Sequence, residues 1–98
     1  MQPCKRIEIV IEEAQAGRLA QRLDELGAPG YTLIPRASGR GDRGVRRADD
    51  PAGTLTNCVF LIACSDPATV TAIVEGVRGL LTRAGGICLV SEAQWVHH

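Results

Sequence analysis

The longest apolar run of the chain leads directly into a strong helix start, and this junction constrains the fold most. The run extends from Leu55 to Cys64 and is almost continuously apolar, which predicts a buried, central strand. Asp66 is a favoured helix-capping residue, and Pro67 fits the first helical position, where its missing N–H costs nothing. Apolar residues then recur every three or four positions up to Gly85, which predicts an amphipathic helix.

The other predicted elements repeat the same strand–helix order. They are a strand over Ile7–Ile11, a helix over Ala14–Leu26, a strand over Gly30–Ile34 that ends at Pro35, and a strand over Ile87–Val90. The order βαββαβ predicts an α+β, ferredoxin-like fold. We expect one domain over residues 1–98, with a flexible loop at about 37–54 and a tail at about 91–98.

Composition limits the function classes. Formal net charge is zero, so general electrostatic attraction to nucleic acid or to an anionic membrane is not expected. The four cysteines form no CxxC pair, which argues against a zinc site and favours reduced, buried thiols. Neither a signal peptide nor a membrane-spanning apolar segment is visible, so the cytoplasm is the expected compartment. No nucleophile with a neighbouring base is recognisable, so an enzyme is not predicted.

The loop between the second and third strands holds most of the local positive charge. Five arginines and four glycines lie between Arg36 and Thr54, with almost no apolar side chains. Guanidinium groups suit phosphate and carboxylate oxygens, and glycines allow close approach of the backbone to a ligand. These features favour an anion-binding loop, and a solvated linker is the alternative. An ACT-like small-molecule module also remains possible. An RNA-binding domain is disfavoured, because its strands would need stacking aromatics and the third strand offers Phe60 alone.

The chain resembles the PII signalling superfamily in topology and in three short motifs. The segment Gly27-Ala-Pro-Gly-Tyr-Thr32 is similar to the PII stretch entering strand two, with Thr32 where PII has an adenine-contacting threonine. Gly39-Arg-Gly41 looks like the base of the PII T-loop, and Ala84-Gly-Gly-Ile87 looks like a reduced B-loop. Among PII-like groups, the short chain, the cysteines and the Arg-rich loop look most like the carboxysome-associated (CPII) group.

Several positions depart from standard PII. Gly86 stands where PII has a basic B-loop residue, and Asn57 and Val59 stand where lysines enter strand three. The T-loop tyrosine and the arginines after strand four are absent, His97 being the nearest cation. These departures argue against triphosphate binding and favour ADP or AMP.

The resemblance implies a homotrimer with nucleotide-binding clefts between subunits, and no metal. The implied nucleotide-binding residues are Thr32, Ser38, Gly39, Arg40, Gly41, Gly85 and Gly86. Arg40 and Arg43 are the implied bicarbonate or anion ligands. The resemblance further implies signalling through the T-loop to a partner, with a bicarbonate transporter or a carboxysome-linked protein as candidates.

Overall fold

A computed structural model of the chain describes residues 1–41, 44–46 and 56–98. In chain order its elements are β1 (Gln2–Glu12), a 3₁₀ turn (Glu13–Gln15), α1 (Ala16–Glu25), β2 (Thr32–Ala37), β3 (Gly39–Gly41), β4 (Gly44–Arg46), β5 (Asn57–Cys64), α2 (Pro67–Ala84) and β6 (Ile87–Trp95).

The main sheet has four antiparallel strands in the order β2-β5-β1-β6. The predicted ferredoxin-like arrangement is therefore confirmed. The apolar strand β5 is internal, as its sequence predicts, and so is β1. The strands β2 and β6 form the two lateral edges of the sheet.

One face of the sheet carries the core. Alternate residues of β1 and β5 are fully buried and form one cluster with both helices. The α1 contribution is the predicted stripe of Leu19 and Leu23, and the α2 contribution is centred on Ile73 and Val77. Spacings of three and four place these side chains on one side of each helix, which is why the amphipathic pattern identified both helices.

The ends of α2 follow the sequence signals. The Asp66 carboxylate accepts a hydrogen bond from the Thr69 hydroxyl at 2.7 Å, and this bond lowers the pKa of Asp66. At the other end Gly85 adopts a left-handed conformation with φ of 77°, and its N–H donates to the Leu81 carbonyl at 2.8 Å. Glycine adopts this conformation without a Cβ penalty, so Gly85 ends the helix for a local backbone reason.

Three predicted strand limits are wrong by several residues: the start of β1 and the ends of β2 and β6. Strand β2 continues through Pro35 to Ala37, because it is an edge strand with a bulge between Ile34 and Ala37, and prolines are tolerated at such positions. Strand β6 extends to Trp95, so the expected tail is mostly strand. Its added residues pair with the start of β1, which extends back to Gln2 and supplies the hydrogen-bonding partners.

Part of the expected loop is regular. Strands β3 and β4 pair antiparallel in a separate two-stranded ribbon, in which Arg40 lies opposite Val45. The expected flexibility of the loop at about 37–54 stays a prediction. The rest of the predicted flexible segment, 42–43 and 47–54, lies outside the described residues.

Candidate functional site

Thr32 begins β2 beside an apolar cavity on the face of the sheet that the helices leave open. It pairs with Leu61 of β5, and both line a cavity of about 280 Å³. The neighbouring Tyr31 ring packs against Phe60 with ring centroids 5.0 Å apart, which anchors the start of the strand. Pockets lined by apolar and aromatic groups with a few polar groups suit small organic ligands. This cavity could hold a planar base, with the Thr32 hydroxyl as its polar contact.

Trp95 lines the same cavity and was not assigned to a site from the sequence. It lies at the end of β6, the opposite edge strand, and its side chain remains 42% exposed. The available signal in the sequence was that Trp95 is the only tryptophan of the chain. The predicted fourth strand ends at Val90, so the sequence did not place Trp95 on the sheet. In the structure β6 continues to Trp95, which pairs with Gln2 of β1.

The base of the loop begins at an irregularity in β2. The pairing register with β5 shifts between Ile34 and Ala37, so the edge strand bulges there. Within the bulge Arg36 has φ of 59°, a left-handed conformation that costs an ordinary residue roughly 1–2 kcal/mol. Ser38 follows and is exposed. The bulge therefore lies between the cavity at Thr32 and the predicted phosphate-binding residues.

The structure describes some of the predicted loop-base and anion-binding residues and not others. The backbones of Gly39, Arg40 and Gly41 form β3, directly after Ser38, so these four predicted residues are contiguous. The side chain of Arg40 and the whole of Arg43 lie outside the described residues. Their assignment as anion ligands stays a prediction.

Gly85 and Gly86 lie at the same end of the sheet, beside β6. A Cβ atom on Gly86 would meet the Val10 carbonyl oxygen at 2.4 Å and a Leu81 side-chain carbon at 2.9 Å. The turn is therefore pressed against β1, and glycine is required at this position by packing alone. The same lack of side chain leaves backbone amides near the surface, and successive amides at such turns form anion-binding concavities.

The predicted site has two halves, the loop base at residues 38–41 and the glycine turn of Gly85 and Gly86. One chain does not bring these two half-sites together. Ser38 extends from one edge strand and Gly86 precedes the other, with β5 and β1 between them. Three interstrand spacings separate these edges by about 14 Å. Both half-sites nevertheless lie at the same end of the sheet. Ala37, which precedes Ser38, pairs with Asn57, and Asn57 pairs with Glu12. Two residues earlier in β1, Val10 pairs with Ile87, which follows Gly86. A second copy of the chain could therefore place its glycine turn against the loop base of the first.

The open face of the sheet is strongly apolar. The cross-strand row nearest the half-sites consists of Ile34, Val59, Val10 and Ile87. In the next row Leu61 and Leu89 flank Glu8, whose carboxylate pairs with Arg6 at 2.9 Å. Ile87 is 52% and Leu89 is 56% exposed. Contiguous exposed apolar surface of this kind marks an interaction surface.

Two cysteines in the described part of the chain have perturbed pKa values. Burial raises the pKa of Cys58 to about 11, with a further contribution from the Glu13 carboxylate, so this thiol is protonated at neutral pH. Burial also raises the pKa of Cys88. Within residues 1–41, 44–46 and 56–98, no three His, Cys, Asp or Glu residues are grouped as metal ligands would be. Nor is any helix of these ranges long and apolar enough to cross a membrane.

A larger cavity of about 400 Å³ lies between the two helices, away from the predicted site. It is lined mainly by charged side chains, among them Arg18, Arg22 and Arg83. Arg22 donates to the Gly76 carbonyl at 3.1 Å and so bridges the helices. None of the predicted ligand-binding residues lines this groove, so the cavity at Thr32 is the better candidate despite its smaller volume.

Comparison with known proteins gives a consistent result. Residues 4–98 match the protein family described as nitrogen regulatory protein P-II. CPII, a nitrogen regulatory PII-like protein from Thiomonas intermedia K12, was solved bound to ADP, AMP and bicarbonate. That structure is 24% identical, with a TM-score of 0.81 over 98% of this chain and 96% of that chain.

Two further solved structures are similar to the chain. The Thiomonas intermedia K12 CPII bound to ADP and bicarbonate is 25% identical, with a TM-score of 0.80, covering 95% of this chain and 88% of that chain. The GlnK–ATP complex of B. subtilis shares the fold at 19% identity, with a TM-score of 0.64 over 95% of this chain and 84% of that chain. The search of curated proteins finds no match.

Proposed function

Because this chain belongs to the P-II family of regulatory proteins, we propose that it is an adenine-nucleotide sensor of inorganic-carbon metabolism. In this proposal it binds ADP or AMP in clefts between subunits, together with bicarbonate, and signals through the loop between β2 and β5. The family match favours this function over an ACT-like module or an RNA-binding domain, and it argues for regulation rather than catalysis.

The position of the two half-sites is the observation that carries the proposal. The loop base and the glycine turn lie at one end of the sheet but on opposite edges, about 14 Å apart within one chain. Around a three-fold axis, one edge of each chain would face the opposite edge of the next. Such heterologous contacts form closed rings with identical clefts, one for each subunit.

The open apolar face supports assembly as a homotrimer. Its rows of apolar side chains surround the Arg6–Glu8 ion pair, which neutralises both charges locally. Burial of the exposed aliphatic groups against other copies would contribute roughly 25 cal/mol for each Å² removed from water. The sheets of three subunits would then face the axis and the helices would face solvent.

Thr32 and the loop base are suited to opposite ends of a nucleotide. Thr32 lies opposite Leu61 and Ala37 lies opposite Asn57, so they are four residue steps apart along β5, a distance of about 13 Å. We propose that the base occupies the cavity at Thr32 and that the phosphates reach the backbone of Ser38–Gly41. The Gly85–Gly86 turn of a neighbouring subunit would approach the phosphates and donate the Gly86 N–H, because the Gly85 N–H already donates to the Leu81 carbonyl. Arg40 and Arg43 would hold bicarbonate.

Support for the ligands also comes from the related CPII structures, which contain ADP, AMP and bicarbonate. The absence of the PII lysines at Asn57 and Val59 favours a mono- or diphosphate over a triphosphate. The proposed partner is a bicarbonate transporter or a carboxysome-linked protein, and the proposed compartment is the cytoplasm. The four cysteines are all free, which suits a reducing compartment.

Calorimetric titration tests this proposal. ADP, AMP and ATP are titrated into the purified protein with and without bicarbonate, at constant pH and ionic strength, while light scattering measures its mass. We expect a trimer that binds one nucleotide per chain, prefers ADP or AMP to ATP, and couples positively to bicarbonate by about 1–3 kcal/mol. Thr32→Val, which keeps the shape but removes the hydroxyl, should weaken binding. If bicarbonate leaves the affinity for all three nucleotides unchanged, the proposed role of bicarbonate is refuted. If no nucleotide binds at all, the proposed function as a nucleotide sensor is refuted.

A further inference from the structure

Arg36 occupies a backbone conformation that its residue type does not favour. Its φ of 59° is the only positive φ of a non-glycine residue in the part of the chain that the structure describes. Asn and Asp are the ordinary exceptions in this region, because their short polar side chains form local hydrogen bonds. Glycine would fit the bulge without strain.

Hydrophobic packing does not account for arginine at this position. Arg36 is exposed on the edge strand of the sheet, where β2 has β5 on one side only. The residues of β2 lie outside the buried apolar cluster, so packing in the core does not explain the residue type at this position. Strained backbone positions of this kind concentrate at ligand-binding sites, where the surrounding structure holds them.

The bulge places Arg36 where the proposed ligand would pass. It lies between Thr32, at the apolar cavity, and Ser38, at the start of the loop base. Bulges redirect a side chain relative to a regular strand, and they are frequent beside binding sites. A guanidinium presents a planar fork of donors that matches the oxygens of a phosphate or of bicarbonate.

We infer that Arg36 is an oxyanion-binding and specificity-determining residue of the nucleotide cleft, held in position by the β2 bulge. This inference rests on the proposed function and adds to it a ligand outside the predicted loop-base set. The bound oxyanion is either the terminal phosphate of the nucleotide or bicarbonate. In this inference the bulge sets the direction of the Arg36 side chain relative to the strand, and that direction requires the strained backbone conformation.

Two substitutions separate charge from strain. Arg36→Gly removes both the guanidinium and the strain, whereas Arg36→Lys keeps a positive charge and the strained conformation but loses the planar fork. We expect Arg36→Gly to raise the melting temperature by a few degrees while weakening anion binding on the order of tenfold. Arg36→Lys should bind with intermediate affinity and show no rise in melting temperature. Arg18→Ala is the matched control, because it removes an arginine from the exposed surface of α1, outside the proposed cleft.

Calorimetry with three ligands identifies the oxyanion. If Arg36 holds the terminal phosphate, Arg36→Gly weakens ADP without bicarbonate and leaves adenosine affinity unchanged. If it holds bicarbonate, ADP alone binds as in the wild type and the effect of bicarbonate is lost. Wild-type affinity of Arg36→Gly for ADP, with and without bicarbonate, would overturn the inference while leaving the proposed function intact.

Failure of the proposed function has a different signature. In that case the wild type itself does not bind ADP, and sodium pyrophosphate and bicarbonate are then used alone in thermal-shift titrations. Stabilisation of the wild type but not of Arg36→Gly by either anion would still support an oxyanion site at Arg36. Equal shifts in the two proteins, or none in either, would overturn it.

Discussion

Replacement of Gly86 by alanine tests how closely the glycine turn approaches the sheet. The added Cβ would lie 2.4 Å from the Val10 carbonyl oxygen, 0.6 Å inside the 3.0 Å limit that real Cβ contacts observe. The obstructing atom belongs to the backbone of a central strand, so it cannot rotate away as a side chain would. Relief requires β6 to move from β1, where Val10 pairs with Ile87.

The magnitude follows from ordinary overpacking. Forcing one extra carbon into a packed site costs typically 1–3 kcal/mol, and a second clash with Leu81 at 2.9 Å adds to the strain. For a domain of this size each kcal/mol changes the melting temperature by about 4–8 °C. We therefore expect Gly86→Ala to melt about 5–20 °C below the wild type without any ligand present.

Gly79→Ala is the matched control for this prediction. Gly79 lies within α2, and the nearest atom to an added Cβ is an Arg83 guanidinium nitrogen at an ordinary 3.7 Å. Alanine should stabilise the helix there by roughly 0.5–1 kcal/mol. Thermal denaturation at equal protein concentration measures both variants, since assembly makes melting concentration-dependent. A Gly86→Ala protein as stable as the wild type would refute the described contact between the turn and β1.

Three further predictions concern assembly, the cavity and a buried thiol. Leu89→Asp, on the open face, should convert the proposed trimer to monomer in sedimentation velocity, whereas Thr71→Asp on the exposed side of α2 should leave the protein assembled; a trimeric Leu89→Asp protein would contradict the proposed interface. Saturating ADP should shift the fluorescence of Trp95, and an emission spectrum unaffected by ADP under conditions of measured binding would exclude the cavity at Thr32. Because the pKa of Cys58 is raised from 9.0 to about 11, the folded state holds the thiol proton more tightly than the unfolded state. Unfolding free energy should therefore fall as pH rises from 9 to 11, with a smaller fall for Cys58→Ala in denaturant titrations, and equal slopes would contradict the burial effect.

The strands and helices were predictable where one periodic signal dominated. The helix after Pro67 carries its start signal, its apolar stripe and its terminal glycine, so its limits agree closely with the structure. Strand β5 was predictable from its apolar run: it lies between β2 and β1, and its alternate residues are buried in the core. The expected domain extent and the flexibility of the loop stay predictions.

The strand ends were not predictable, because they depend on pairing between distant segments. Residues 91–95 read as a polar tail, yet β1 extends back to Gln2 and pairs with them. Pro35 is a strand breaker in most contexts, and only its place on an edge strand, with a bulge after it, allows β2 to continue. Neither fact is visible in the local sequence.

The residues of the candidate site were proposed from motif resemblance, and their assignment as ligands stays a prediction. The glycine turn and the loop base were identified as half-sites, but only the strand order shows that they lie on opposite edges. Arg36 counted as one of five loop arginines, and its conformation becomes visible only in the backbone. Gly86 was read as a ligand contact, whereas its packing against Val10 gives an additional, structural reason for glycine.

Subunit complementation tests most directly whether the site is shared between two copies of the chain. Ser38→Asp places a negative charge beside the proposed phosphates at the loop base, and Gly85→Asp does so at the turn, where Asp tolerates the left-handed conformation. Ser38→Asn and Gly85→Asn are the neutral controls of similar shape. Each Asp variant alone should lose ADP binding, whereas the Asn variants should retain most of it.

When the two Asp variants are co-expressed in equal amounts, random trimers should contain some clefts with both halves intact. Each cleft needs an intact loop base from one chain and an intact turn from its neighbour, so about a quarter of the clefts should bind ADP with wild-type affinity. Calorimetric stoichiometry of the mixed protein gives this fraction. Recovery of about one quarter is the predicted result, and no recovery would show that each chain holds a complete site and would contradict the account.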